Sequence, residues 1–381
     1  MTVQVFCYPE DAVLTGPGPL CQLAAGLGAD AIAVAVRYHP ARRWFARHGV
    51  VRHSAPGITY FRPAEGPYGR LRPLTIAPDA EIAALLALRE EATRHGLAFH
   101  AWTVMLHDDP VVAAHPDLAA RTLDGTPTIH ALCPSHPDVV EYAAALVADV
   151  CEQLGPDVIE LESALYAAWD PSYVISLELA PLTGTTRAFA GQCFCDACVR
   201  LIERLGHDPE TLRRDALAGE GAATLRAVRA HGVRGVLDAT TTAAHEHDVA
   251  VRPLIFDDAP MAALQGASPE AFEPADRIGV GCGTLTGDAL TERFTDLAAL
   301  AGDHPLLASL NWSPDRTADD FATDVRTVLE AGATDIALYN LSLVPETALK
   351  DLAAAARAAT RPALPARDAP SDASQARHGQ A

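Results

Sequence analysis

The sequence lacks any run of about 18 consecutive apolar residues, so no membrane-spanning helix is expected. It lacks an excess of positive charge as well. Its 381 residues carry a formal net charge of −20, and such a surface repels nucleic-acid phosphates and anionic membranes. Neither is expected as a partner. Lysine is nearly missing: Lys350 stands alone among 29 basic residues. Aromatics are scarce, at 6%, which argues against a long polysaccharide cleft and for a pocket. The N-terminus, MTVQVFCYPEDAV, has no basic region leading into an apolar run, so no secretory signal is expected. A cytoplasmic location follows. There the eight cysteines are expected as thiols or metal ligands, not disulfides.

What is present is alternation. Apolar residues make up 49% of the chain, enough for a sizeable core. Short β-like runs alternate with longer Ala-, Leu- and Arg-rich stretches. Eight strands are expected, at Val3–Pro9, Ala31–Tyr38, Ala98–Leu106, Asp157–Ser163, Val249–Phe256, Arg277–Gly283, Leu306–Trp312 and Asp335–Asn340. Amphipathic helical segments separate most of them. Strand–helix alternation implies parallel strands with crossover helices. Eight such units predict an α/β fold, a single-domain (β/α)8 TIM barrel over residues 1–360. An open doubly wound sheet is the alternative, but no glycine-rich turn follows the first strand. Two connections are long, from Tyr38 to about Pro78 and from Ala164 to about Gly221. Both leave the C-terminal ends of strands, where barrel enzymes build their sites. Residues 361–381, rich in Pro, Ala, Ser and charge, are expected to be a disordered tail.

Cys193, Cys195 and Cys198 form C-x-C-x-x-C in GQCFCDACVRLI. Three thiols so close can converge on one metal, and tetrahedral zinc needs a fourth ligand. Cys133, in HALCPSHPDV, follows strand three. In a barrel that loop neighbours the loop after strand four, so Cys133 is the expected fourth ligand. His130 and His136 flank it as alternatives. Four thiolates leave no open position for water, so this Zn2+ is expected to be structural.

Strand four reads DVIELES. Alternation puts Val158, Glu160 and Glu162 on one face, and the apolar pair Ile159 and Leu161 on the other. The glutamates therefore point into the barrel. Glu162, nearer the top, is the first catalytic candidate. Glu160, one layer deeper, is expected to meet an inward Arg or His. A second carboxylate is sought among Asp257 and Asp258 in PLIFDDAP and Asp108 in MLHDD. Arg37, His39, His100, Trp102, His107, Glu160, Asn311, Trp312, Tyr339 and Asn340 cluster near strand ends as candidate substrate contacts. Rings can stack on a sugar's C–H face, while Asn, His and Arg can hydrogen-bond its hydroxyls.

The order CPSHPDVVEYAAALV, a strand ending in carboxylates, then CFCDAC resembles the barrel domain of family 42 glycoside hydrolases, which are β-galactosidases. The resemblance implies Cys133, Cys193, Cys195 and Cys198 as zinc ligands and Glu162 as the acid. It covers residues 132–201. Leu161 stands where that family has Asn, and strand seven, PLLASLNWSP, has no Glu for the family's nucleophile. The whole chain is also similar to a group of actinobacterial barrel proteins, on the pattern RYHP, AWTVMLHD, ALCPSHPDV, IELES and CFCDAC. That likeness brings no activity.

The expected function is a glycoside-hydrolase-like enzyme for a small carbohydrate or glycosylated metabolite, working by carboxylate acid/base catalysis. Two alternatives remain. One is a non-hydrolytic barrel enzyme (isomerase, lyase or metal-assisted) on a sugar-like substrate. The other is a non-catalytic carbohydrate-binding barrel.

Overall fold

Runs of Val, Ile, Leu and Ala make eight short strands whose residues are almost all buried. They are β1 (Val3–Cys7), β2 (Ala31–Tyr38), β3 (Ala98–Val104), β4 (Val158–Glu162), β5 (Ala250–Ile255), β6 (Ile278–Gly283), β7 (Leu306–Asn311) and β8 (Asp335–Tyr339). The structure, a computed structural model, describes residues 1–167 and 190–360. Each strand pairs in parallel with its neighbours in chain order, and β1 pairs with both β2 and β8. The sheet is therefore closed, as expected for a (β/α)8 barrel. The expected tail at 361–381 and residues 168–189 of the connection after β4 lie outside the described residues.

One crossover helix per strand covers the barrel. These are α1 (Pro17–Leu27), α2 (Asp79–Arg94), α3 (Pro137–Leu154), α4 (Ala222–His245), α5 (Ala259–Leu264), α6 (Gly287–Ala301), α7 (Ala318–Glu330) and α8 (Leu349–Thr360). Their starts are written locally. Proline occupies the first turn of α1, α3 and α5, where its missing N–H costs nothing. Thr317 and Asp320 form a reciprocal capping box on α7, satisfying two otherwise orphaned donors.

The long connections at the C-terminal mouth carry their own structure. After β2 a hairpin, Ala41–Phe45 with Val50–Ser54, lies against the short helix Pro9–Thr15. Two buried acids of that helix hold it: Glu10 meets Arg43, and Asp11 meets Arg47 and His48. After β3 come the helix Asp109–Ala114 and a second hairpin, Ala119–Arg121 with Pro127–Leu132.

Candidate functional site

The barrel interior is built in layers by residues of alternate parity. The lower layer is polar. Arg252 of β5 donates to Glu160 Oε1 at 2.8 Å and to Gln4 Oε1 at 3.0 Å. His100 Nδ1 lies 2.7 Å from Gln4 Oε1 and 3.4 Å from Glu160 Oε1. Burial disfavours the Glu160 charge, yet the contact with His100 and the Arg252 guanidinium hold its carboxyl below the ordinary range. Glu160 and His100, expected as substrate contacts, are instead partners of this floor, beneath the cavities.

The layer above is aromatic. Phe6, Tyr8, Tyr38, Trp102 and Tyr339 pack edge-to-face or tilted, with ring centroids 4.9–6.0 Å apart. Glu162 rises beside this cluster. Trp102 Nε1 donates to its Oε2 at 2.6 Å, and His39 Nε2 lies 3.4 Å from its Oε1. Burial opposes protonation of His39, but its contact with Glu162 raises it above the ordinary histidine value.

Two cavities meet at Glu162. One, of about 300 Å³, is lined by His107, His130, Tyr166, Asp257 and Gln265 among others. The second, more open and of about 570 Å³, is lined by Tyr38, His39, Trp102, Arg293, Asn311 and Tyr339 among others. Glu162 and Phe256 belong to both linings. A ladder of imidazoles runs along one side. The His39 and His107 rings stack at 5.2 Å, and His107 and His130 lie 5.0 Å apart. His107 Nε2 is 3.3 Å from Asp109 Oδ2.

Seven of the residues anticipated for the site thus line the cavities: Glu162, Asp257, His39, Trp102, His107, Asn311 and Tyr339. Others do not. A bulge between Ala35 and Arg37 sets Arg37 opposite Thr103. The extra residue turns Arg37 away from the interior. It is fully buried, donates to the Val104 and Met105 carbonyls, and pairs with Asp108. Asp108 also accepts from the Tyr142 hydroxyl, so it is a structural counter-ion. Asp258 is exposed and caps α5, accepting from the Met261 N–H at 2.9 Å. Trp312 donates to Asp351 of α8, and buried Asn340 accepts from the Ser342 N–H. Tyr8, Tyr38, Phe256, Arg293, Tyr166 and Gln265 escaped the sequence reading. His130 was read only as a metal-ligand alternative, and here it lines a cavity.

Behind the smaller cavity sit four buried thiols. The sulfurs of Cys133, Cys193, Cys195 and Cys198 lie within 4.8 Å of one another. Cys133 Sγ is 3.4 Å from those of Cys195 and Cys198 and 3.8 Å from that of Cys193. A tetrahedral ion with bonds of about 2.3 Å sets sulfurs about 3.8 Å apart. The cluster could therefore bind a metal. All eight cysteines are free thiols. The surroundings favour a thiolate at Cys198, whereas contacts with the other thiols push Cys133 up, and burial pushes Cys193 up, well above the ordinary thiol range. Arg229 is fully buried, and among the described residues no carboxylate pairs with it. It donates to Cys198 Sγ at 3.2 Å and to the Cys193 carbonyl, and its guanidinium lies 4.4 Å over the Tyr166 ring. The Arg121 N–H donates to Cys193 Sγ at 3.1 Å. Burial works against ionisation of Cys198, but the neighbouring thiols and Arg229 hold it well below the ordinary thiol range. Tyr166 joins cluster to cavity: its hydroxyl meets Ser135 Oγ, and Ser135 Oγ is 3.6 Å from Cys198 Sγ.

No family model matches the sequence, and no curated protein matches it at the sequence level. Solved structures do match its fold. The glycoside hydrolase domain of PgaB (BpsB) from Bordetella bronchiseptica superposes with a TM-score of 0.61 at 14% identity, covering 92% of this chain and 98% of that one. The catalytic domain of β-amylase from Paenibacillus polymyxa gives 0.60 at 10% identity, covering 94% and 98%. β-Galactosidase from the psychrophilic Marinomonas ef1 gives 0.58 at 11% identity; the match covers 94% of this chain and 59% of that protein. The chain thus shares its barrel fold with glycoside hydrolases.

Proposed function

We propose that this barrel hydrolyses a glycosidic bond in a small carbohydrate or glycosylated metabolite, with Glu162 as general acid and Asp257 as second carboxylate. The observation that carries the proposal is the place of Glu162. It stands at the junction of two cavities at the C-terminal mouth, and Asp257 lines one of them. A bond lying across Glu162 has room for one ring on each side. Half-buried Tyr339, backed by the buried Tyr38 and Trp102 rings, offers an apolar surface to a sugar, and Asn311 offers an amide to its hydroxyls. The fold shared with glycoside hydrolases raises the prior for this chemistry without assigning it.

In the step proposed, Glu162 delivers a proton to the glycosidic oxygen as the bond to the anomeric carbon breaks. Asp257 either attacks that carbon or takes a proton from an attacking water. Retention goes with carboxyl groups about 5–5.5 Å apart and inversion with about 6.5–9.5 Å. The anomeric configuration of the first product, read by NMR, distinguishes the two. Cys133, Cys193, Cys195 and Cys198 are proposed to hold a structural zinc that pins the connections after β3 and β4. A cytoplasmic location, where cysteines stay as thiols or metal ligands, is part of the same proposal.

The test is turnover of a panel of chromogenic aryl glycosides by the wild type, Glu162→Gln and Asp257→Asn. The expected result is activity that falls at least about 100-fold in Glu162→Gln, as for a lost general acid. One observation favours a second reading. Strand β7 ends in Asn311, not an acid, so a non-hydrolytic enzyme on a sugar-like substrate is the alternative. Folded, metal-loaded protein that binds sugars but cleaves none of the panel would move the assignment there. Glu162→Gln leaving such binding intact would point instead to a carbohydrate-binding barrel.

A further inference from the structure

One proton of the site has two possible owners. His39 Nδ1 lies 3.0 Å from the Pro40 carbonyl oxygen. That oxygen can only accept, so Nδ1 carries a hydrogen. The other ring nitrogen, Nε2, faces Glu162 Oε1 at 3.4 Å. Such contacts are often long before substrate arrives. The second carboxyl oxygen, Oε2, accepts from the Trp102 indole N–H at 2.6 Å, a group that only donates. The carbonyl oxygen of a carboxylic acid accepts better than its hydroxyl, and the short indole bond selects it at Oε2. A protonated Glu162 therefore carries its proton on Oε1.

The His39–Glu162 contact is then best satisfied by one proton. On Nε2 it faces a carboxylate; on Oε1 it faces a neutral ring. With none, two lone pairs oppose each other. With two, the N–H meets a hydroxyl, a poorer acceptor than a carboxylate. We propose that His39 is a positioning residue that holds the Glu162 proton between turnovers, the proton lying between His39 Nε2 and Glu162 Oε1. The destination of that proton rests on the hydrolase reading above; its residence on this pair does not.

In hydrolysis the balance closes with one water. The anomeric C–O bond breaks, its electron pair leaves with the glycosidic oxygen, and that oxygen takes the proton from Glu162 Oε1. The pair is then one proton short. Water gives its hydroxyl to the anomeric carbon; its remaining proton restores the pair directly in retention and, in inversion, after Asp257 has taken it and released it to solvent. Nothing is oxidised or reduced.

The groups facing His39 come from several elements. Glu162 of β4 favours its charged form, and Arg43 of the first hairpin opposes it. Tyr38 stacks on it at 4.2 Å, and His107, from the connection after β3, stacks on its far side of the ladder at 5.2 Å.

The test is long-range 1H–15N NMR of the imidazoles in the full chain across pH, without ligand. The expected neutral form of His39 is the Nδ1–H tautomer, with Nε2 losing its proton above the ordinary value of about 6.5. In Glu162→Gln the midpoint falls by about one pH unit or more, as for loss of a neighbouring opposite charge. A neutral Nε2–H tautomer, or a midpoint unmoved by Glu162→Gln, overturns the proposal. The tautomer is read on the wild type, so it decides the matter even if Glu162→Gln does not fold. If glycosides are cleaved, His39→Gln moves the basic limb of the kcat/KM profile down by about one pH unit; a limb that stays put also overturns it. If no glycoside is cleaved, the hydrolase reading falls and the NMR result still stands alone.

Discussion

Helix α4 contains two glycines three positions apart, and alanine at each is expected to act with opposite sign. At Gly235 an added Cβ meets nothing within 4 Å. Gly235→Ala then only removes backbone freedom from the unfolded chain and raises stability by about 0.5–1 kcal/mol. At Gly232 the same carbon would lie 2.2 Å from the Tyr166 hydroxyl and 3.0 Å from its Cζ. Gly232 is buried, and the ring opposite is held by Arg229 and Ser135. The ring cannot move without losing those contacts. Overpacking of this kind costs about 1–3 kcal/mol. The propensity gain is common to both substitutions and cancels in their difference. Gly232→Ala should therefore be about 1–3 kcal/mol less stable than Gly235→Ala. Urea unfolding with unchanged m-value measures this directly. Gly232→Ala combined with Tyr166→Phe should recover part of the loss, because the atom in closest conflict is gone. If Gly232→Ala is as stable as Gly235→Ala, the placement of Tyr166 between α4 and the cavity is refuted.

Other expectations follow from the same contacts. Arg252→Met strands Glu160 on the barrel floor and should cost about 3–5 kcal/mol, the range for breaking a buried pair, read by chemical denaturation. Because the folded Glu160 carboxyl is held below its ordinary value, its contribution is present above pH about 4.3 and is lost as pH falls through the lowered folded value. His39 has the opposite sign. It is raised by Glu162, so its contribution is complete below about pH 6.5 and is lost as pH climbs through the raised value; stability of the wild type against His39→Gln across pH checks this. Removal of metal by a chelator should release one zinc per chain, measured by elemental analysis, and make four further thiols reactive to a colorimetric reagent. Release of no zinc from protein expressed with it would end the structural-zinc proposal.

The barrel was legible because its strands are short apolar runs with turn formers at both ends. Each observed strand falls inside its expected range, and the ends differ by two residues at most. The convergence of Cys133 with the C-x-C-x-x-C cluster was legible too, since adjacency of successive loops is a property of the barrel itself. Side-chain direction was less so. Alternation worked for Glu160 and Glu162 because β4 is regular. Arg37, read as a contact from its place at a strand end, is turned away because one bulge in β2 reverses every face beyond it, and nothing in RYHP announces a bulge. Asp258 was ambiguous for another reason: Asp before Ala-Pro is both a helix cap and a strand-end acid, and only the Met261 N–H decides. Of the cavity residues that were missed, Tyr166 and Gln265 stand on connections, where no period says which way a side chain turns, and Arg293 reaches the cavity from α6, donating to the Phe256 carbonyl.

The four-thiol cluster also bears on the order in which the chain folds. Cys133 and Cys193 are 60 residues apart in sequence, and β4 with α3 lies between them. During synthesis the last three cysteines emerge together, but they have only each other until β3 and β4 are paired and the upstream loop is in place. An ion caught early would be held by three ligands and exchange readily; the fourth arrives only with the correct neighbour strand. Closing that span costs chain entropy once, before any contact repays it, and the binding energy of an ion held there would become part of the folding free energy. A bound ion would therefore tie together two connections that only the pairing of β3 with β4 brings side by side.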